Sequence, residues 1–349
     1  MGSSTGDKDT YSVNFLNGVG IGIYSVDLKA GMYAEPTPKW HVDWEIDVIN
    51  KTTGANVLNY KYDLEGKIVD VIFDSSSLGD TIAWIPYVEE FRKKHNCKVN
   101  VFGWWRTLFE KTYPEINFFE IGHDTKEEPY DRKHLGWYYD DKTGQFRGDM
   151  HKNDPREISL QQTASDIFGL KYNEIRTNIN IDKRNYKRPV EGKYVTMNTH
   201  GTAQCKYWNY IDGWKIVVSY LKSKGYEVIS LDKYKEYGRA DLGFLNSIPD
   251  NTIDKTGDKP IEERVFDMSQ AEFHMGTGSG LSWLAWGTGI PVLLVSNFSK
   301  PFSEMTMNCV RVYNDEPTSG YWNDTQHLFD RGDWIWNPYE DLNLSLIHI

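Results

Sequence analysis

Apolar residues change their spacing twice along this chain. Up to residue 66 they fall in short alternating or aromatic runs, Tyr11-Ser12-Val13-Asn14-Phe15 and Trp40-His41-Val42-Asp43-Trp44-Glu45-Ile46, broken by Gly and Pro. This predicts a small β-rich unit after a mobile lead of ten residues rich in Gly, Ser, Thr and Asp, with residues 1–66 as its bounds. Gly18, Gly20 and Gly22 lie inside it, but no helical pattern follows them, so they read as a turn or bulge rather than a phosphate loop.

From residue 67 the spacing becomes that of strands alternating with helices. Ile68-Val69-Asp70-Val71-Ile72-Phe73 reads as a buried strand, and Ile82, Ile85, Val88 and Phe91 then recur at near-helical intervals. Lys98–Phe102 and Ile116–Ile121 read as further strands, with a Trp104-Trp105-Leu108-Phe109 segment between them. Residues 124–155 are polar yet contain Leu135-Gly136-Trp137-Tyr138-Tyr139 and Gln145-Phe146-Arg147 around Asp140-Asp141-Lys142-Thr143-Gly144, which predicts a hairpin at about 130–150 projecting from the sheet. A second alternating block starts near residue 191. Its strands are Lys193–Met197, Glu227–Leu231 and Pro291–Val295; its helices run from Trp208 to Lys224, closed by Gly225, and from Pro260 through Phe266. The pattern predicts two doubly wound α/β units, residues 67–190 and 191–343, with ligands at the carboxyl ends of the strands.

Composition narrows the function classes. A chain of 349 residues with 14% aromatic and 26% charged residues can bury two cores. A net charge of −11 argues against capture of nucleic acid or an anionic membrane, though it leaves room for a local basic cleft. No apolar stretch reaches the length of a membrane span and the start lacks the order of a signal peptide, which predicts a cytoplasmic protein. Cys97, Cys205 and Cys309 form no close pair and read as free thiols.

Two strand–glycine–helix junctions carry the candidate chemistry. The first, Asp74-Ser75-Ser76-Ser77-Leu78-Gly79-Asp80-Thr81, puts Asp80 at a helix mouth. There it either accepts a proton from an incoming hydroxyl or simply interacts with first-turn N–H groups. The second, Gly276-Thr277-Gly278-Ser279-Gly280-Leu281-Ser282, offers an anion cradle, because glycines admit a ligand to the backbone and the helix dipole favours phosphate. Ser279, Gly280 and Leu281 are its expected N–H donors, with Gly278 and Ser282 as further candidates. In Thr199-His200-Gly201-Thr202-Ala203-Gln204-Cys205-Lys206, Thr202 can donate to a phosphate oxygen. Lys206 either neutralises a diphosphate or is a solvated helix-end charge.

These stretches resemble the bacterial autotransporter heptosyltransferases, relatives of the lipopolysaccharide heptosyltransferases with two Rossmann-like domains facing across a cleft, the GT-B architecture. The similarity rests on residues 73–91, on Ala203-Gln204-Cys205-Lys206-Tyr207-Trp208, on Thr256-Gly257-Asp258 and on residues 278–286. It runs from about residue 11 to residue 340. The resemblance implies an inverting transferase that moves heptose from ADP-heptose to serine hydroxyls of an autotransporter-type protein, without a catalytic metal. Asp80 is then the general base, Lys206 a diphosphate ligand, and residues 279–281 the phosphate cradle. Another nucleotide sugar, a saccharide acceptor, or a catalytically silent sugar-nucleotide-binding module are the alternatives. Expected partners are a nucleotide sugar, a protein acceptor and, as an open alternative, further copies of the chain, but neither nucleic acid nor an inserted membrane.

The family also carries cysteines that bind iron in a structural finger. The matching places here hold Thr318, Tyr321 and Asn337. The expectation is therefore a protein with no metal site and no cofactor. Residues 344–349, Leu344-Ser345-Leu346-Ile347-His348-Ile349, read as an adapter-derived tail rather than natural sequence.

Overall fold

The computed structural model describes residues 9–312, apart from 37, 141, 156, 183, 202–205, 209–211, 240–243 and 296–301. The expected mobile lead lies largely, and the expected tail wholly, outside the described residues. The chain opens with four antiparallel strands, β1 (Thr10–Leu16), β2 (Gly22–Lys29), β3 (Glu45–Asn50) and β4 (Asn56–Lys61), in the order β2-β1-β3-β4. Gly20, at φ +77°, sits in the β1–β2 turn, and the register shifts at Phe15/Leu16. The glycine run is thus the turn with its bulge. Of the Trp40–Ile46 run only Glu45 and Ile46 are strand; the stretch before them is tied down instead by the His41 N–H donating to Ile167 O at 2.7 Å.

The next unit is a parallel sheet of β5 (Ile68–Phe73), β6 (Lys98–Phe102), β7 (Ile116–Phe119) and β8 (Asp131–Leu135), ordered β7-β6-β5-β8. Helix α1 (Leu78–His95) follows β5, and α2 (Leu160–Ile167) packs against α1. Every residue of α1 from 81 to 88 is buried, which is why the run there is apolar all round instead of amphipathic. Pro86 lies inside it and cannot donate to the carbonyl of Ile82; the Thr177 hydroxyl donates to that carbonyl instead. The segment between β6 and β7 forms one short helical turn, Arg106–Leu108. One expectation changes here. The stretch Asp131–Leu135 belongs to the sheet, parallel to β5, so the hairpin shrinks to a Tyr139–Phe146 bridge. As an edge strand, β8 alternates exposed and half-buried residues, and its polar sequence hides it.

The last unit is a six-stranded parallel sheet of β9 (Tyr194–Asn198), β10 (Glu227–Ser230), β13 (Ile253–Asp254), β14 (His274–Gly276), β15 (Val292–Val295) and β16 (Cys309–Val312), ordered β13-β10-β9-β14-β15-β16. A separate hairpin, β11 (Glu236–Arg239) with β12 (Phe244–Ser247), stands beside it and was not foreseen from sequence. Helix α3 (Gly213–Ser223) starts later than the expected Trp208, α4 (Ile261–Ser269) follows Pro260, and α5 (Gly280–Thr288) follows β14. Gly225, at φ +85°, ends the α3 turn as expected.

The two Rossmann-type units share one core. It runs from Val69, Val71 and Phe73 through Ile82, Trp84 and Ile85 of α1, across Ile179 and Ile181, to Trp283, Leu284 and Trp286 of α5. The contact between α1 and α5 therefore forms a floor, and the strand ends of both sheets rise on either side of it. No helix among the described residues is long and apolar enough to cross a membrane.

Candidate active site

A cleft of about 770 Å³ opens above that floor. On one side it is lined by Ser75, Ser76, Ser77 and Leu78 with Trp105; on the other by His200, Gly201 and Lys206, by the loop after β10, and by Ser279, Gly280 and Leu281. Four cations, Lys206, Lys233, Lys259 and Arg264, face two carboxylates, Asp232 and Asp258. This is a locally basic cleft in a chain of net charge −11. Lys206, Ser279, Gly280 and Leu281 thus come together. Thr202 lies outside the described residues.

Asp80 sits in the first turn of α1, half-buried, just behind the Ser75–Ser77 wall. The Ser75 hydroxyl donates to Asp80 Oδ2 at 2.6 Å and accepts from the Ser77 N–H at 3.2 Å, so one serine holds both loop and carboxylate. The Trp105 indole donates to Ser76 O at 3.0 Å and fixes the same loop. Burial raises the Asp80 pKa above the ordinary carboxylate range, against the lowering effects of the Ser75 hydrogen bond, the Lys206 charge and hydrogen bonds with Trp137 and Ser77. A carboxylate destabilised in this way is a stronger proton acceptor than a solvated one. From the residual hairpin, the Asp80 charge in turn helps raise the pKa of Tyr139, after burial as the larger cause.

Across the cleft, α5 begins at Ser279, whose side chain does not cap the helix. Its hydroxyl instead accepts from Asn198 Nδ2 at 3.0 Å. Asn198, fully buried at the end of β9, also donates to His200 O and Thr277 Oγ1, and its Oδ1 faces His274 Nε2 at 2.9 Å. It locks the loops after β9 and β14 together, and the first N–H groups of α5, as in any helix, have no acceptor within the helix. Gly276 is required beneath it, since a Cβ there would lie 2.2 Å from Asn198 Oδ1.

The structure separates the remaining candidates. Ser282 is fully buried, and its hydroxyl donates to Thr277 O at 2.7 Å, so it stabilises the junction and is not on the cleft wall. Gly278 is crowded by Glu304, which pairs with Arg311 at 2.6 Å. At Gly280 a Cβ would stand 2.9 Å from Leu78 Cβ and 3.2 Å from Gly79 N. Close helix packing therefore demands this glycine, besides any ligand. Sequence reasoning missed Asn198, Asp232 and Arg264. Asp232 accepts from the Thr199 and His200 N–H groups, each at 2.9 Å. Arg264 donates to Leu231 O, Gly257 O and Lys259 O. Both shape loops from within, and nothing in their local sequence announces that.

Away from the cleft lining, His41, Asp43 and His95 place one donor atom each within 4.8 Å of one another. His41 Nε2 lies 2.9 Å from Asp43 Oδ1.

Two Rossmann-type sheets facing across a basic cleft, with a helix N-terminus on one wall and a half-buried carboxylate held by Ser75 behind the other, fit a glycosyltransferase of GT-B architecture. No protein-family model matches the chain. It is 35% identical to the autotransporter heptosyltransferase Aah of Escherichia coli over 90% of this chain and 78% of that protein. The crystal structure of TibC from enterotoxigenic E. coli H10407, described as an iron-containing dodecameric glycosyltransferase, matches with a TM-score of 0.85 at 30% identity, covering 98% of this chain and 88% of that one. BimC of Burkholderia thailandensis, described as an inactive autotransporter heptosyltransferase, is 27% identical over 89% of this chain and 71% of that protein. The chain belongs to the autotransporter heptosyltransferase family, and it is an enzyme, a glycosyltransferase.

The comparison overturns the expectation of a metal-free transferase without cofactor. TibC contains iron, and the described residues here include a histidine–aspartate group with the donor atoms of a metal site. Thr318, Tyr321 and Asn337, on which that expectation rested, lie outside the described residues.

Proposed function

We propose that this chain transfers heptose from ADP-heptose to serine hydroxyls of an autotransporter-type protein, with inversion at the anomeric carbon. The observation that supports the reading is a basic cleft lined on one side by the α5 N-terminus and on the other by Ser75, whose hydroxyl donates to Asp80. TibC has been solved in complex with ADP-D-beta-D-heptose, and that structure matches this chain with a TM-score of 0.83.

In this reading residues 191–343 hold the donor and residues 67–190 present the acceptor. The N–H groups of Ser279, Gly280 and Leu281 bind the diphosphate, and Lys206 offsets charge that develops on it as the C1–O bond breaks. Lys259 and Arg264 add to the same field. Asp80 takes the proton of the serine hydroxyl as that oxygen attacks the far face of C1, with Ser75 holding the carboxylate in place. Trp137 hydrogen-bonds Asp80, and Tyr139 is near enough to feel its charge. The stacked pair Tyr234 and Tyr237, 5.5 Å between centroids, offers an aromatic surface near the cleft for the base. We place the reaction in the cytoplasm, where a nucleotide sugar and a not yet exported acceptor are both present, and expect a homo-oligomer as in the dodecameric TibC.

The silent-module alternative has a precedent in BimC. The presence here of Asp80 held by its Ser75 donor favours turnover over binding alone. The test is mass spectrometry of a serine-rich acceptor fragment incubated with the protein and ADP-heptose, UDP-sugars or GDP-sugars separately. Addition of one heptosyl unit with ADP-heptose supports the reading; binding of ADP-heptose with no transfer to any acceptor overturns it.

A further inference from the structure

His41 and Asp43 lie on the stretch that leads into β3, and His95 is the last residue of α1. The two segments meet at a corner where the N-terminal sheet joins the first Rossmann-type unit. The corner is tightly built: Gly169 just after α2 has φ +62°, and a Cβ there would stand 2.7 Å from His41 O. His41 is buried, His95 half-buried, and Asp43 keeps one edge in solvent. Their rings and carboxylate converge. The imidazole centroids of His41 and His95 are 4.8 Å apart, and the 2.9 Å between His41 Nε2 and Asp43 Oδ1 is close to the separation of two ligands on one small cation.

One feature resists explanation as plain packing. His95 Nε2 is buried with no hydrogen-bond partner, whereas folded proteins pair nearly all such atoms. It has no use in the cleft, whose lining excludes all three residues. We propose that His41, Asp43 and His95 bind one divalent first-row transition metal, which cross-links the N-terminal sheet to the end of α1. Two imidazoles and one carboxylate suit ferrous iron or zinc, and the solvent edge of Asp43 leaves room for water to complete the shell. The neighbouring charge sets a limit on affinity: Lys94 Nζ lies 3.5 Å from Asp43 Oδ2, and Lys133 acts electrostatically on His41. Lys94 engages the oxygen that faces away from His41, so Oδ1 stays available.

The test uses the full chain, stripped with chelator and then titrated anaerobically with Fe(II), and separately with Zn(II) and Co(II). Metal per chain is read by elemental analysis and stability by thermal unfolding. Asp43→Asn and His95→Gln are compared with the parent; Asp43 is surface-reaching, so its variant keeps the fold, which far-UV circular dichroism checks. The proposal expects each variant to hold about one metal fewer per chain than the parent. It also expects loss of a metal-dependent rise in Tm, roughly 5 °C at a hundredfold excess over Kd. Taking the difference between parent and variants removes any metal bound elsewhere in the chain. A parent that takes up none of the three metals, or variants that match its metal content and Tm rise, would overturn the site and leave His41–Asp43 as a simple hydrogen bond.

Discussion

Asp80, the base proposed above, is held at a cost in stability. Its pKa is raised in the fold, mainly by burial, so the native state binds its proton more tightly than the unfolded chain does. The stability it permits is complete below the unfolded aspartate pKa and is lost as pH rises through the folded value. Asp80→Asn keeps the shape and removes that burden. We expect the variant to unfold at a higher temperature than the parent at neutral pH, with the gap closing in acid, while transfer is abolished and donor affinity stays within a few-fold. Calorimetric scans at several pH values read the first effect; a variant that transfers normally would remove Asp80 as the base. The parent's kcat/KM should likewise rise with pH along an acid limb set above the ordinary aspartate range. Lys206, whose stem packs over Gly201, is assigned to the diphosphate. Lys206→Ala should weaken ADP binding by about 1.5–3 kcal/mol, if the contact is charge-assisted; unchanged affinity in titration calorimetry would leave it a surface charge.

Among elements, the two helices behind the cleft explain what sequence could and could not show. The strands β5, β6, β9 and β10 were legible because buried parallel strands are continuous apolar runs, and α1 and α5 because each follows a strand through glycine. The edge strand β8 was not, since Asp131, Arg132, Lys133 and His134 fall in the stretch read as a projecting hairpin until β5 supplies the pairing. The role of Pro86 was also hidden. Its consequence is a free carbonyl at Ile82, satisfied from ninety-five residues away by Thr177. Thr177→Val should therefore destabilise by about 1–3 kcal/mol, the cost of an unpaired buried carbonyl, measured as a lower denaturation midpoint at unchanged m. The site residues at the cleft rim were readable as a glycine-rich junction, whereas Asn198 and Arg264 act through tertiary hydrogen bonds that no local spacing encodes. Gly280 changes meaning most. Read in sequence as room for phosphate, it is also where α5 meets α1. Gly280→Ala should lower Tm as well as donor affinity, because Leu78 and Gly79 must move. A variant with impaired binding and parental Tm would contradict the packing role.

At the scale of the whole molecule, the continuous core under the cleft ties the two Rossmann-type units at the point where both helices begin. The groups proposed to meet donor and acceptor are thereby held in fixed relation by buried apolar contact, and the positive field of the cleft is local to a chain that is otherwise acidic. The central claim is that diphosphate and base address one sugar from opposite sides. A crystal structure of the Asp80→Asn variant with ADP-heptose tests it most directly. The account predicts the diphosphate against the N–H groups of residues 279–281, Lys206 on its oxygens, and the side chain at position 80 facing the side of the anomeric carbon away from the leaving group. A nucleotide seated elsewhere, or a residue 80 turned out of the cleft, would contradict it.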